Sequence, residues 1–170
     1  MGRMSRMGGI AALALVVSLV ATPTPALATQ QKYPVPYTFT ANIVAAALHP
    51  GTPPPGSNIW TCRPSAAHPR PVVLVHGLLA NMTDNWQTMS PLLANNGYCV
   101  FALTYGNNPD PSSPLAQFGG LAPMEQSAAQ LSAFVNKVLH ATGAHKVDIV
   151  GHSEGATMPD YYIELSLIHI

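Results

Sequence analysis

Continuous and periodic apolar segments divide the chain. Val72 to Val75 is an uninterrupted apolar run, the pattern of a short strand covered on both faces. Tyr98 to Tyr105 and Lys146 to Val150 read as two further strands. Between the first two, Trp86, Met89, Leu92 and Leu93 mark the buried face of one helix. It is capped near Thr83 or Asp84 and ends at Asn96-Gly97. Between the second and third, Met124, Ala128, Leu131, Val135 and Val138 recur at helical spacing, with Pro123 opening the helix and Gly143 closing it. Gly106 to Gly120 is a long polar, proline-bearing loop. Strand–helix–strand–helix–strand predicts an α/β fold, a mainly parallel sheet flanked by helices with right-handed crossovers.

The ends of the chain break this pattern. Arg3 and Arg6, the uncharged Gly8 to Val20 and the small-x-small Ala26-Leu27-Ala28 are the three parts of a secretory signal peptide, predicting export and cleavage after Ala28. The apolar run has 13 residues, short of the ~20 that span a bilayer, so no membrane span is expected after cleavage. Residues 29–70 read as an N-terminal wrap, with one short helix around Ile43 to Leu48 and a proline-rich stretch, His49 to Gly56, that can be neither helix nor central strand.

After cleavage five basic residues face seven acidic ones, a formal charge of −2, which gives no reason to expect a nucleic-acid partner. With 48% hydrophobic and 8% charged residues the chain has enough apolar material for one core. The isolated pair Cys62 and Cys99 predicts a disulfide in an oxidising compartment, the alternative being two buried free thiols. No CxxC or HxxxH pairing points to a metal, and none is expected at His140 and His145.

The candidate chemistry follows the third strand. Gly151-His152-Ser153-Glu154-Gly155 is a G-x-S-x-G pentapeptide between a strand and a predicted helix. The letters alone are a weak motif in a chain with 13 glycines. The strand-to-helix context makes them read as a nucleophile elbow, with the Ser153 hydroxyl lifted above the sheet end. Gly151 and Gly155 keep side chains out of the close approach of strand and helix. A serine nucleophile also needs donors for the oxyanion it forms. The backbone N–H of Glu154 is one candidate. The N–H of Leu78, in the loop after the first strand, is the other, with Gly77 allowing close approach. A simple turn is the alternative reading of His76-Gly77. The Glu154 carboxyl is read as a helix-start acid rather than a base. His152 is expected to point to the other side of the turn, and Asp148 to face a helix or the sheet edge. Asn81-Met82-Thr83 fits a glycosylation pattern but reads as a turn and helix cap. Pro159, in the second turn of the following helix, predicts a kink or a late helix start.

The segments Arg70 to Gly77, Asn85 to Gln87, Gly97 to Gly106 and Lys146 to Pro159 together resemble the secreted bacterial class 2 lipases of the α/β-hydrolase fold, especially their actinobacterial branch. The resemblance extends over about Tyr33 to Glu164. It implies hydrolysis of carboxylic esters, acylglycerols in particular, through an acyl-Ser153 intermediate, with a lipid or ester substrate and no cofactor or metal. A cutinase-like or acyltransferase activity is the alternative on the same scaffold. In such a fold the triad runs Ser, then Asp or Glu, then His. Besides Glu154, only Asp160, Glu164 and His169 follow Ser153, and none suits those roles. The expectation is therefore that residues 71–170 are the N-terminal part of such a domain, truncated after about Glu164. An inactive or surface-binding product is the non-catalytic alternative.

Overall fold

A computed structural model describes residues 32–166 other than 111 and 114. The segment read as a signal peptide, the tail beyond Ser166 and His169 lie outside the described residues. In chain order the elements are α1 (Phe39–Leu48), β1 (Val72–Val75), α2 (Met82–Asn85), α3 (Met89–Asn95), β2 (Val100–Leu103), α4 (Met124–Thr142), β3 (Asp148–Gly151) and α5 (Glu154–Ser166).

The three strands form a parallel sheet in the order β2-β1-β3. The apolar run of β1 makes sense at once, because the central strand buries alternate residues on opposite faces. Val73 and Val75 join Phe101 and Leu103 against α4 and α5, packing on Leu131, Val135, Val138 and Met158. Val72 and Leu74 join Val100 and Ala102 against Trp86 and the α2–α3 side. Each such side chain contributes about 1.5–3 kcal/mol on burial. The sequence pattern extends β2 beyond both observed ends, and starts β3 two residues early, at Lys146, while stopping one residue short of Gly151. Each pairs with β1 over four residues, from Val72 to Val75, so the central strand sets the length of both ladders.

The helix between β1 and β2 differs from expectation in being two helices; its cap is Asn81, within the Asn81-Met82-Thr83 segment read as a turn and cap, and not Thr83 or Asp84. The Asn81 side chain accepts from the N–H groups of Thr83 and Asp84, while the Asp84 carboxylate accepts from the Asn81 N–H, a reciprocal capping box. Pro91 accounts for the break, since proline is tolerated in a first helical turn but not further inside. It makes α3 start close by, at Met89. The expectations for α4 hold: Ala128, Leu131, Val135 and Val138 are buried, and Gly143 ends the helix at φ +73°. Pro159 does not delay the helix: α5 begins at Glu154 and runs through it.

Residues 32–71 are held largely by side-chain hydrogen bonds to neighbouring backbone. Asn95 bonds both backbone groups of Tyr33, at 3.0 and 2.8 Å. Thr83 and Ser90 donate to the carbonyls of Thr52 and Pro55, and Thr88 to that of Pro36. Asn58 covers the outer edge of β2 by bonding both backbone groups of Ala102 at 2.9 Å. The helix here is longer than expected, ten residues rather than six, and none of them is buried. Trp60 packs on Phe101 and Phe134 at centroid distances of 5.0 and 5.8 Å, with the Lys137 ammonium 4.1 Å from its ring centroid. Beside it Cys62 and Cys99 form a disulfide that joins this segment to the start of β2. Asp148 lies at the start of β3 in an exposed ion pair with Arg70, at 2.7 Å.

The disulfide closes a loop with a sequence separation of 37. Replacing both cysteines with alanine lowers the unfolding free energy by about 3–4 kcal/mol, mainly by restoring freedom to the unfolded chain. Urea denaturation of the chain and the double variant checks this.

Candidate active site

Parallel neighbours deliver their C-terminal ends to the same edge of a sheet. The register pairs Val75 with Gly151, so the loop leaving β1 and the turn leaving β3 emerge side by side. The His152 N–H continues the ladder by donating to the Val75 carbonyl at 3.0 Å. Ser153 then stands between strand and helix with φ +54°, exposed to solvent. A non-glycine residue in that region is strained by about 1–3 kcal/mol and is held there by its surroundings.

The two glycines of the pentapeptide have steric reasons that can be measured. A Cβ on Gly155 would stand 2.2 Å from the Val75 carbonyl oxygen and 2.4 Å from that of His76. A Cβ on Gly151 would stand 2.1 Å from the Gly155 carbonyl oxygen. That oxygen is the one Pro159 cannot reach with an N–H. It faces Gly151 instead.

The loop after β1 lies against the elbow: a Cβ on Gly77 would be 3.0 Å from the Ser153 Cβ. The loop is a tight turn, closed by the Ala80 N–H donating to the Gly77 carbonyl at 3.2 Å, with Leu79 at φ +61°. Leu79 and Ala80 exchange hydrogen bonds with Gly119, at 2.9 and 2.7 Å. Among the described residues none accepts from the Leu78 N–H. Glu154 opens α5, so its N–H has no partner within the helix. Gly120 sits between the two positions. A Cβ there would lie 3.0 Å from the Leu78 Cα and 3.1 Å from a Glu154 carboxylate oxygen. Burial raises the Glu154 carboxyl above its ordinary value.

His76 proves to be a buried support rather than part of a plain turn. Tyr105 stacks on its ring at 4.3 Å and donates twice: its N–H to His76 Nε2 at 3.1 Å, its hydroxyl to the His76 carbonyl at 2.9 Å. Since Nε2 accepts, Nδ1 carries the proton and donates to the Gly77 carbonyl at 2.8 Å. Burial lowers this imidazole to about 4, against the partly opposing Gly77 hydrogen bond. A Cβ on Gly119 would stand 2.5 Å from the same ring. The Tyr105 phenol is pushed upward by burial and then by the Glu154 charge.

His152 turns towards α2, where its Nδ1 lies 2.8 Å from Asn85 Oδ1. No described residue hydrogen-bonds the Ser153 hydroxyl. Beside the elbow is a cavity of about 900 Å³, bordered by Phe39 and Ile43 of α1, by Leu78 and Leu79, and by Asn85 and His152. The sequence reading picked out Ser153, Gly151, Gly155, Leu78 and Glu154, and the structure brings these to one edge of the sheet. It did not single out Tyr105, Gly119 or Gly120. The adjacent glycine pair at the end of the long loop was the available signal.

A parallel sheet flanked by helices, with this serine corner at its C-terminal edge, defines part of an α/β-hydrolase fold. Residues 69–166 match the family model described as lipase (class 2), and the chain belongs to that family. It is 34% identical over 101 residues to a triacylglycerol lipase of Pseudarthrobacter phenanthrenivorans, a match covering 56% of this chain and 28% of the relative. A triacylglycerol lipase of Burkholderia plantarii is likewise 34% identical over 101 residues, covering 56% of this chain and 25% of the relative. The chain thus spans about a quarter of the length of these curated relatives.

Two predictions follow from the packing. Gly155→Ala drives a methyl group into two carbonyl oxygens and lowers stability by about 3 kcal/mol. Gly143→Ala, at φ +73° with no atom within 4 Å of the new carbon, costs only about 1 kcal/mol of backbone strain. Urea denaturation of the pair separates crowding from conformation.

The second concerns pH. Above about 6.5 His76 is neutral folded or unfolded, and its contribution is constant. Between 6.5 and about 4 the unfolded chain takes up a proton that the folded chain refuses. Stability therefore falls with pH by about 3 kcal/mol across that window. The difference in denaturation free energy between the chain and His76→Gln, followed from pH 7.5 to 4, isolates this contribution.

Proposed function

We propose that the chain carries the nucleophile and oxyanion hole of a serine ester hydrolase acting on carboxylic esters, acylglycerols in particular. The observation that carries this reading is Ser153 itself, exposed at φ +54° on a strand-to-helix corner with the Gly77 loop packed against it. Ser153 Oγ attacks the ester carbonyl. The N–H groups of Leu78 and Glu154 receive the charge on the carbonyl oxygen. The alcohol departs, and water releases the acyl group from Ser153. The general base and its acid partner come from outside the described residues. Membership of the class 2 lipases and the triacylglycerol lipase names of the relatives support the substrate class. Secretion belongs to the same proposal: the disulfide suits an oxidising compartment. Among the described residues no helix is long and apolar enough to cross a membrane.

A fluorophosphonate probe tests the nucleophile, because its phosphoryl oxygen occupies the place of the oxyanion. The native chain labels at Ser153 at least ~100-fold faster than the urea-unfolded chain, the order of one preorganised donor's contribution. Ser153→Ala abolishes the label. Equal rates for native and unfolded chain, by mass spectrometry of the peptide, would refute the assignment.

A further inference from the structure

The loop that ends in Leu78 and the turn that ends in Ser153 come from different strands, and both rest on one side-chain atom. Asn85 is the last residue of α2, a helix whose cap is anchored in several directions. Asn81 Nδ2 donates to the Gln117 carbonyl at 2.9 Å, the Met82 N–H to the Thr104 hydroxyl at 3.1 Å, and the Thr83 hydroxyl to the Thr52 carbonyl at 2.7 Å. From this base Asn85 Oδ1 meets His152 Nδ1 at 2.8 Å and the Gly77 N–H, more weakly, at 3.4 Å.

The chemistry of the donors settles the orientation. A backbone N–H can only donate, so the Asn85 oxygen, not its nitrogen, faces Gly77. His152 Nδ1 must then carry a proton to donate to the same oxygen, which leaves Nε2 as the acceptor in the neutral ring. An amide oxygen has two lone pairs, and both are used. Gly77 immediately precedes Leu78, and His152 immediately precedes Ser153.

We propose that Asn85 is a positioning residue that couples the oxyanion loop to the nucleophile elbow by joining Gly77 and His152 through one carbonyl oxygen. The proposal rests on the reading of Ser153 as nucleophile and adds how its distance from the Leu78 amide is held. The backbone needs this link because it is strained on both sides, at Leu79 (φ +61°) and Ser153 (φ +54°), and both residues are exposed. Displacing a donor by about 1 Å costs on the order of 100-fold in rate.

The test combines a spectroscopic signature with a rate. In long-range ¹H–¹⁵N spectra of the 170-residue chain, His152, assigned with His152→Gln, shows the Nδ1–H tautomer at neutral to alkaline pH. Asn85→Leu, similar in size and without an acceptor, loses that tautomer preference and lowers the fluorophosphonate labelling rate constant 10–100-fold, with little change in the probe concentration giving half-maximal rate. Asn85→Asp, which keeps the oxygen, keeps the tautomer and restores part of the rate. His152→Leu breaks the same link from the other end and serves if Asn85→Leu does not fold. An Nε2–H tautomer in the unaltered chain, or an unchanged rate in Asn85→Leu, overturns the coupling while leaving the nucleophile in place. Failure of the native chain to label faster than the unfolded one overturns the nucleophile reading and the coupling's catalytic meaning with it. The tautomer still reports separately on the hydrogen bond.

Discussion

The arrangement depends on how closely α5 approaches the end of β1. Gly155 lies against the carbonyl oxygens of Val75 and His76 at a distance that admits no side chain. Given that approach, β3 must turn into helix within two residues, His152 and Ser153. The turn is short enough that a serine takes a left-handed backbone conformation. Packing of α5 on α4 through Met158 and Tyr162 holds the helix down, so the strain at Ser153 is set against a well-buried apolar face.

The opposing wall is built differently. The loop after β1 has few apolar contacts, and Leu78 and Leu79 are exposed. Its shape is fixed by hydrogen bonds among polar groups. Neutral His76 bridges the Tyr105 and Gly77 backbones, and Gly119 pairs with Leu79 and Ala80. Such a network is stable only while His76 is uncharged, and burial ensures this by making protonation unfavourable. One side of the site is thus shaped by packing and the other by satisfied hydrogen bonds.

Family membership covers these parts without specifying their detail. The matched region ends within α5, and the curated relatives are about four times longer than the aligned portion. Within this chain the Ser153 corner, its two glycines and the facing loop form one continuous structure around the central strand.

Much of this was legible in the order of residues. The unbroken apolar β1, the α4 stripe and the glycine spacing of the pentapeptide are local signals, each tied to a period or to a steric need of the backbone. The helix after β1 was less legible. Its apolar positions suit one helix or two, and the decision rests on Pro91 and on which of the candidate caps, Asn81, Thr83 or Asp84, opens the first helix. Pro159 gives no late helix start: α5 begins at Glu154, and the Gly155 carbonyl that Pro159 leaves without an N–H faces Gly151, in a different element. The amino-acid sequence by itself determined the α/β alternation, the strand-to-helix corner at Ser153 and the pairing of two lone cysteines. Only the tertiary structure decided that Tyr105, Gly119, Gly120 and Asn85 support that corner. The reason is physical: a helical or strand pattern records which face of an element is apolar, whereas a hydrogen bond between residues 67 positions apart, such as Asn85 to His152, leaves no periodic trace.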